Sequence, residues 1–175
     1  MLTIRQEKAA DFPAIKTILQ LAFANEEHSD QTEDLLVERL RKSPAYIPEL
    51  ALVATMDEKV IGHILLTKID IVSPQRSTPS LALAPVSVHP DYQQQGFGEA
   101  LINAAHQQAR ALGYGSIILL GHADYYPRFG YQLCRDYGIE IPFPAPAENC
   151  MVLELQEGAL AGVRGMVKYA QAFFE

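Results

Sequence analysis

The forty-one residues from Leu81 to Gly121 constrain this chain more than any other stretch. "LALAPVSVH" (81–89) is an apolar run of strand length. The spacing then predicts a helix from Gly96 to Leu112, with Phe97, Leu101, Ala104, Ala105 and Leu112 on one stripe. Gly113 and Gly115 stop it, and "SIILLG" (116–121) follows as a short buried strand. Strand, helix, strand at these lengths is a crossover unit, so the two strands are expected to be parallel neighbours in one sheet. Pro85 falls inside the first of them. It cannot donate to a ladder, so the strand must bulge or splay there.

Between that strand and that helix lies "QQQGFG", Gln93 to Gly98. The first turn of a helix has unpaired N–H groups and a partial positive charge. Glycines let an anion approach the backbone with no Cβ in the way. The loop therefore reads as a cradle for a phosphate or pyrophosphate, and equally as a strand-to-helix turn that binds nothing. Two familiar phosphate loops fit poorly. A P-loop ends in Gly-Lys-Ser/Thr, whereas Gly98 is followed by Glu99; a dinucleotide fingerprint needs a small residue where Leu101 stands.

The rest of the chain supplies a sheet and its cover. "LTIR" (2–5) reads as a strand, and Phe12, Ile15, Ile18, Leu19 and Ala22 place a helix within 9–25. Polar, acidic 25–34 is a surface loop or helix entry, and Gln31 to Lys42, with Leu35, Leu36 and Leu40, is a second helix ended by Pro44 and Pro48. "LALVAT" (50–55) and "KVIGHILLTKIDIV" (59–72) form a hairpin through "MDEK", and "SPQRSTPS" (73–80) is read as a turn. "DYYPRFGY" (124–131) is a short helical turn; further strands are expected near 132–141 and 150–155, and the Gly-rich tail 156–175 is expected to pack on a core of 2–155. All 175 residues are expected to make one α/β domain.

Composition excludes several classes. A net charge of −7 argues against nucleic-acid binding and favours cationic substrates weakly. No apolar run is long enough to span a membrane, and the N-terminus lacks the pattern of a secretory signal. The histidines at 28, 63, 89, 106 and 122 form no zinc pair, so no metal is expected. Cys134 and Cys150 read as buried thiols of a cytoplasmic protein.

Gln93-x-x-Gly96-x-Gly98, following "VSVHPDY", resembles the acetyl-CoA signature of the GNAT N-acetyltransferase superfamily, (Arg/Gln)-x-x-Gly-x-(Gly/Ala). "LGHADYYPRFGY" resembles that superfamily's late aromatic motif, in the subgroup of bacterial acetyltransferases with a YYxRFGF-type motif and a Gly-rich tail. The resemblance covers nearly the whole chain. It implies a GNAT-type fold: a mixed, mostly antiparallel central sheet with one splayed strand and flanking helices. It implies an N-acetyltransferase that moves an acetyl group from acetyl-CoA to a primary amine of a small molecule or protein, as a monomer or homodimer.

Residue by residue, the resemblance implies that the backbone of Val86, Ser87 and Val88 bonds the pantetheine arm. Gln93, Gln94, Gln95, Gly96, Phe97, Gly98 and Glu99 would hold the pyrophosphate. Where relatives often carry Arg or Lys in mid-loop, this chain has Gln94 and Gln95. Tyr126 matches the tyrosine that protonates the leaving thiolate, a phenol being neutral at physiological pH. The Val88 amide would stabilise the oxyanion. The base stays open among His89, an imidazole that also reads as a surface residue beside Pro90, and a chain of waters. Glu26 and Glu27 line the early loop that shapes acceptor pockets, or are a solvated acidic run. His122 and Asp124 flank the approach to Tyr126. His63 reads as a core residue. A non-catalytic acyl-CoA-binding module and a nucleotide-binding domain remain as rival readings.

Overall fold

The computed structural model describes residues 1–27 and 29–175; His28 lies outside them. In chain order the elements are β1 (Leu2–Gln6), α1 (Phe12–Phe23), α2 (Glu33–Arg41), β2 (Tyr46–Met56), β3 (Lys59–Ser73), β4 (Arg76–Val88), α3 (Phe97–Ala111), β5 (Ser116–Leu120), β6 (Gln132–Leu133), β7 (Ile139–Glu140), β8 (Cys150–Glu154) and β9 (Gly165–Lys168). One sheet holds all nine strands in the order β1-β2-β3-β4-β5-β8-β6, with β9 beside β3 and β7. It is mostly antiparallel. β4 and β5 run parallel, as the crossover through α3 requires.

Each face of the sheet has its own cover. Alternation along the strands sends Leu52, Ala54, Ile64, Leu66 and Leu83 toward α3, where Leu101, Ile102, Ala105 and Ala109 meet them. Val53, Leu65 and Ala51 face the other way, onto Ile15 and Leu19 of α1 and Val37 and Leu40 of α2. Burying each such Leu or Ile side chain stabilises by about 1.5–3 kcal/mol. Gly62 lets α3 come close to β3: a Cβ there would stand 2.9 Å from Cδ1 of Leu101.

Three boundaries differ from the sequence reading. The turn read over 73–80 is confined to Pro74 and Gln75. β3 continues to Ser73 and β4 begins at Arg76, with Ser77, Thr78 and Pro79 paired to Val72, Ile71 and Asp70. Ser77 and Pro79 are exposed, Thr78 is half-buried and none is a large apolar residue, so this strand start leaves no hydrophobic trace. Leu112 lies beyond the end of α3 and is 38% exposed rather than on its buried stripe. Leu35 likewise faces solvent, and Val37 and Leu40 carry the packing of α2. The tail contributes β9, which pairs with β3 at Asp70–Val72, beyond the last β2 pair at Tyr46–Thr67.

The central irregularity lies at Pro85. Ile64 pairs with Val86 but Leu66 pairs with Leu83, so Ala84 and Pro85 together oppose Leu65 alone. That is a bulge, placed where the missing N–H demands it. β4 pairs with β5 only at Leu81 and Ala82; after that point the two strands part.

Candidate active site

The parted strands define a cleft, and the β3–β4 register decides what faces it. Directly bonded and non-bonded pairs alternate along an antiparallel ladder. The His89 N–H donates to the Ile61 carbonyl at 2.8 Å. The bonded pairs are therefore Ile61–His89 and His63–Ser87, which uses the Ser87 main chain on β3. Val86 and Val88, opposite Ile64 and Gly62, turn their main-chain groups toward the cleft. The Val88 carbonyl accepts from Nε2 of Gln93 at 3.1 Å. The Ser87 hydroxyl is buried without a hydrogen-bond partner.

The loop enters α3 through two residues of positive φ, Gln94 (61°) and Gly96 (87°). Gly96 is the N-cap residue, and no side chain caps the helix. Its carbonyl accepts the first helical bond, from the Ala100 N–H at 3.0 Å. The N–H groups of Phe97, Gly98 and Glu99 thus lack helical partners. Gln93 through Gly96 are exposed. Two of the three glutamines brace the loop: Gln93 ties to Val88, and Nε2 of Gln95 donates to the Asp91 carbonyl at 3.3 Å. A Cβ on Gly98 would sit 3.7 Å from the Val88 side chain and 3.8 Å from the Tyr125 hydroxyl. Gly98, Val88 and Tyr125 therefore meet at one point.

The turn Tyr126–Phe129 begins with the second tyrosine of the late motif, and the first, Tyr125, is its N-cap residue. Tyr125 is half-buried; Tyr126 is 8% exposed. Their rings meet edge-on at 5.1 Å, and Tyr126 also meets Tyr131 edge-on at 5.7 Å. Burial, with Tyr125 beside it, pushes the Tyr126 phenol up to about 12. It stays protonated at any physiological pH. Behind it the Tyr131 hydroxyl and His106 Nε2 are 2.8 Å apart, and burial, then Arg110, lowers His106 to about 4.

His89 stands at the end of β4. Its Nδ1 accepts from the Asp91 N–H at 3.1 Å and so caps the short turn Pro90–Tyr92. Only Nε2 remains for other work.

A cavity of about 370 Å³ opens where β5 ends, between the α1–α2 connection and residues 144–149. It brings Glu26 and His122 together with Glu33, Phe23 and Leu120; Glu27 does not line it. Glu33 was not singled out from sequence, because a carboxylate in a helix's first turn reads as a dipole partner. Ser29 Oγ reaches both its oxygens, at 2.8 and 2.6 Å. The Gly121 N–H donates to the Asn149 carbonyl at 2.9 Å and ties the end of β5 to the far wall. A larger concavity, about 1000 Å³ beside Lys68, Tyr114 and Tyr169, contains none of the site residues expected from sequence.

One polar cluster has only its histidine, His63, anticipated from sequence as a core residue. His63 is fully buried, with Nε2 2.9 Å from Oε1 of Glu7. Arg41 donates twice to that carboxylate, both at 3.0 Å, and Tyr46 donates at 2.6 Å. Burial pushes Glu7 up, but bonds from His63, Arg41 and Tyr46 outweigh it and hold Glu7 at about 2. Burial lowers His63 despite Glu7. The neutral imidazole and ionised carboxylate tie β1, β3 and α2 together.

A sheet that opens beside an uncapped, glycine-lined helix start, with a buried tyrosine turn across the gap, defines an acetyltransferase fold. Residues 3–134 match the family described as Acetyltransferase (GNAT) domain, and the chain belongs to that family of N-acetyltransferases. The chain is 33% identical over 141 residues to YjhQ of Escherichia coli K12, an uncharacterized N-acetyltransferase, covering 80% of this chain and 75% of YjhQ. It is similar to the crystal structure of the E. coli GNAT family N-acetyltransferase YhbS in complex with CoA. There the TM-score is 0.89 at 28% identity, over 99% of this chain and 92% of that one. A GNAT family acetyltransferase from Brucella melitensis in complex with acetyl-CoA superposes with a TM-score of 0.80 at 29% identity, over 99% and 98% of the two chains.

Proposed function

We propose that the protein transfers the acetyl group of acetyl-CoA to a primary amine by direct attack, in the cleft between β4 and β5. The observation that carries this reading is the juxtaposition of the cleft-facing main chain of Val86 and the Val88 N–H with the uncapped first turn of α3. An extended pantetheine arm has a strand edge to pair with, and a pyrophosphate has the amides of Gln94 to Glu99. Solved relatives with CoA and acetyl-CoA support the same ligand. Ser87 is the weakest of the three strand residues expected to bond the arm, since its main chain serves β3.

The Val88 N–H, directed into the cleft, is the donor to the oxyanion of the tetrahedral intermediate. Tyr126 stands in the general-acid position, its O–H directed at the sulfur as the C–S bond breaks. Raised to about 12, its phenol is a weaker acid than a free one and acts chiefly as a hydrogen-bond donor to the developing thiolate. The amine occupies the cavity beside Gly121, where Glu26 and Glu33 favour an ammonium and Phe23 and Leu120 contact its carbon chain. With Nδ1 of His89 engaged, deprotonation runs through water in the cleft and His89 Nε2 is a secondary candidate. The whole chain works as one domain, its 156–175 tail held on the sheet by β9.

Calorimetric titration with acetyl-CoA, CoA and NAD tests the reading, followed by an amine panel with thiol-release detection. Selective binding of the CoA species and release of thiol are expected. Absence of CoA binding at millimolar ligand would remove the proposal.

A further inference from the structure

The loop that the acetyl-CoA reading assigns to phosphate carries no cation. Between His89 and Glu99 the charged side chains are Asp91 and Glu99, and neither Lys nor Arg occurs. Amides at a helix start hold one phosphate group, but CoA brings a diphosphate and a further phosphate on its ribose. In a chain of net charge −7, the balancing charge must come from another element.

Two cations reach the loop from its sides, each across an aromatic ring. Nζ of Lys59, at the β2–β3 turn, lies 5.7 Å from the centroid of Tyr92, whose ring is 6.2 Å from that of Phe97 at the start of α3. Arg128 is better placed. Its Cζ stands 4.6 Å above the ring of Tyr125, the residue whose hydroxyl meets Gly98 in the first turn of α3. Its Nε donates to the Tyr125 carbonyl at 3.0 Å. Stacking and that bond fix the guanidinium plane and leave the two terminal nitrogens unspent. None of the ion pairs among the described residues involves Arg128 or Lys59.

We propose that Arg128, held on Tyr125, supplies the positive charge for a CoA phosphate that the Gln93–Gly98 loop lacks, with Lys59 a weaker contributor on the opposite flank. This inference rests on the acetyl-CoA reading. A planar, stacked guanidinium binds phosphate through two parallel N–H donors, which a lysine cannot reproduce. Arg128 is thereby an affinity residue, not a participant in acyl transfer.

The test is titration of the wild type, Arg128→Gln, Arg128→Lys and Lys59→Gln with CoA, dephospho-CoA and pantetheine at two salt concentrations. Arg128→Gln should weaken CoA about tenfold or more, Arg128→Lys less, and Lys59→Gln least. Pantetheine, which has no phosphate, should bind the variants and the wild type alike. The penalty should shrink at high salt. A penalty that persists with dephospho-CoA assigns Arg128 to the diphosphate; one that disappears assigns it to the ribose phosphate. Unchanged CoA affinity in Arg128→Gln, or an equal loss for pantetheine, overturns the proposal while the acetyl-CoA reading stands. Failure of the wild type itself to bind CoA removes both.

Discussion

The ring of Tyr126 lies directly against Gly121: a Cβ on Gly121 would overlap Cε2 of that ring and stand 2.8 Å from Cδ2. The glycine at the end of β5 thus sets where the phenol sits. Tyr126→Phe is expected to lower kcat about a hundredfold with acetyl-CoA affinity unchanged. Gly121→Ala keeps the phenol but displaces it, and should lower kcat in the same direction. The double variant should be no slower than Tyr126→Phe alone, since both act through one hydroxyl. Multiplying losses would show that Gly121 works through something else.

The two glycines of the loop should respond differently. Gly96 has φ of 87°, so Gly96→Ala strains the backbone and is expected to cost about 1 kcal/mol of stability. Gly98 has ordinary φ and room for a methyl, 3.7 Å from Val88 and 3.8 Å from Tyr125. Gly98→Ala should therefore leave the thermal midpoint alone; Gly98→Leu fills the cleft and should weaken acetyl-CoA binding about a hundredfold or more. Equal destabilisation by both alanines would contradict this division.

Glu26, from the connection between α1 and α2, and Glu33, at the start of α2, line the cavity proposed above for the amine. Glu26 is exposed, so the effect of its charge is modest. Glu26→Gln is expected to raise KM for a cationic amine about three- to fivefold and to leave KM for acetyl-CoA unchanged. Added salt should narrow the gap between variant and wild type. A kcat effect without a KM effect would move Glu26 from acceptor binding into the chemistry.

The crossover of strand, loop, helix and strand was legible because its signals are local: a period of 3.6 in 97–111, glycines at its ends, and Pro85 in an apolar run. Which main-chain groups face the cleft was not. Val86, Ser87 and Val88 look alike in sequence, and only the register with β3, reset by the bulge at Pro85, separates Ser87 from the two valines. The start of β4 at Arg76 was hidden because Arg76 to Pro79 form the outer side of β3 there and carry no large apolar residue. The assembly of Glu26, Glu33 and His122 depends on how α1 and β5 lie across the sheet, a matter of tertiary packing with no local pattern. Glu7, Arg41, Tyr46 and His63 come together from four elements, and an isolated Glu after a strand does not announce a buried partner.

That buried carboxylate makes acid stability the last prediction. His63 and His106 are held neutral by burial, their values lowered from 6.5, His106 to about 4. The unfolded chain protonates both near 6.5, so stability is complete above that pH and falls as pH drops toward 4. Glu7, ordinarily 4.5, is held at about 2. Its contribution is complete above pH 4.5 and is lost between 4.5 and 2. Glu7→Gln leaves Arg41 buried against a neutral amide and should cost about 3 kcal/mol at pH 7. It should also flatten the lower part of the profile while leaving the decline between 6.5 and 4 that belongs to His106, which does not touch Glu7. Urea midpoints of both proteins from pH 3 to pH 8 read this directly. A variant that keeps the wild-type slope below pH 4.5 would show that Glu7 is not the group that titrates there.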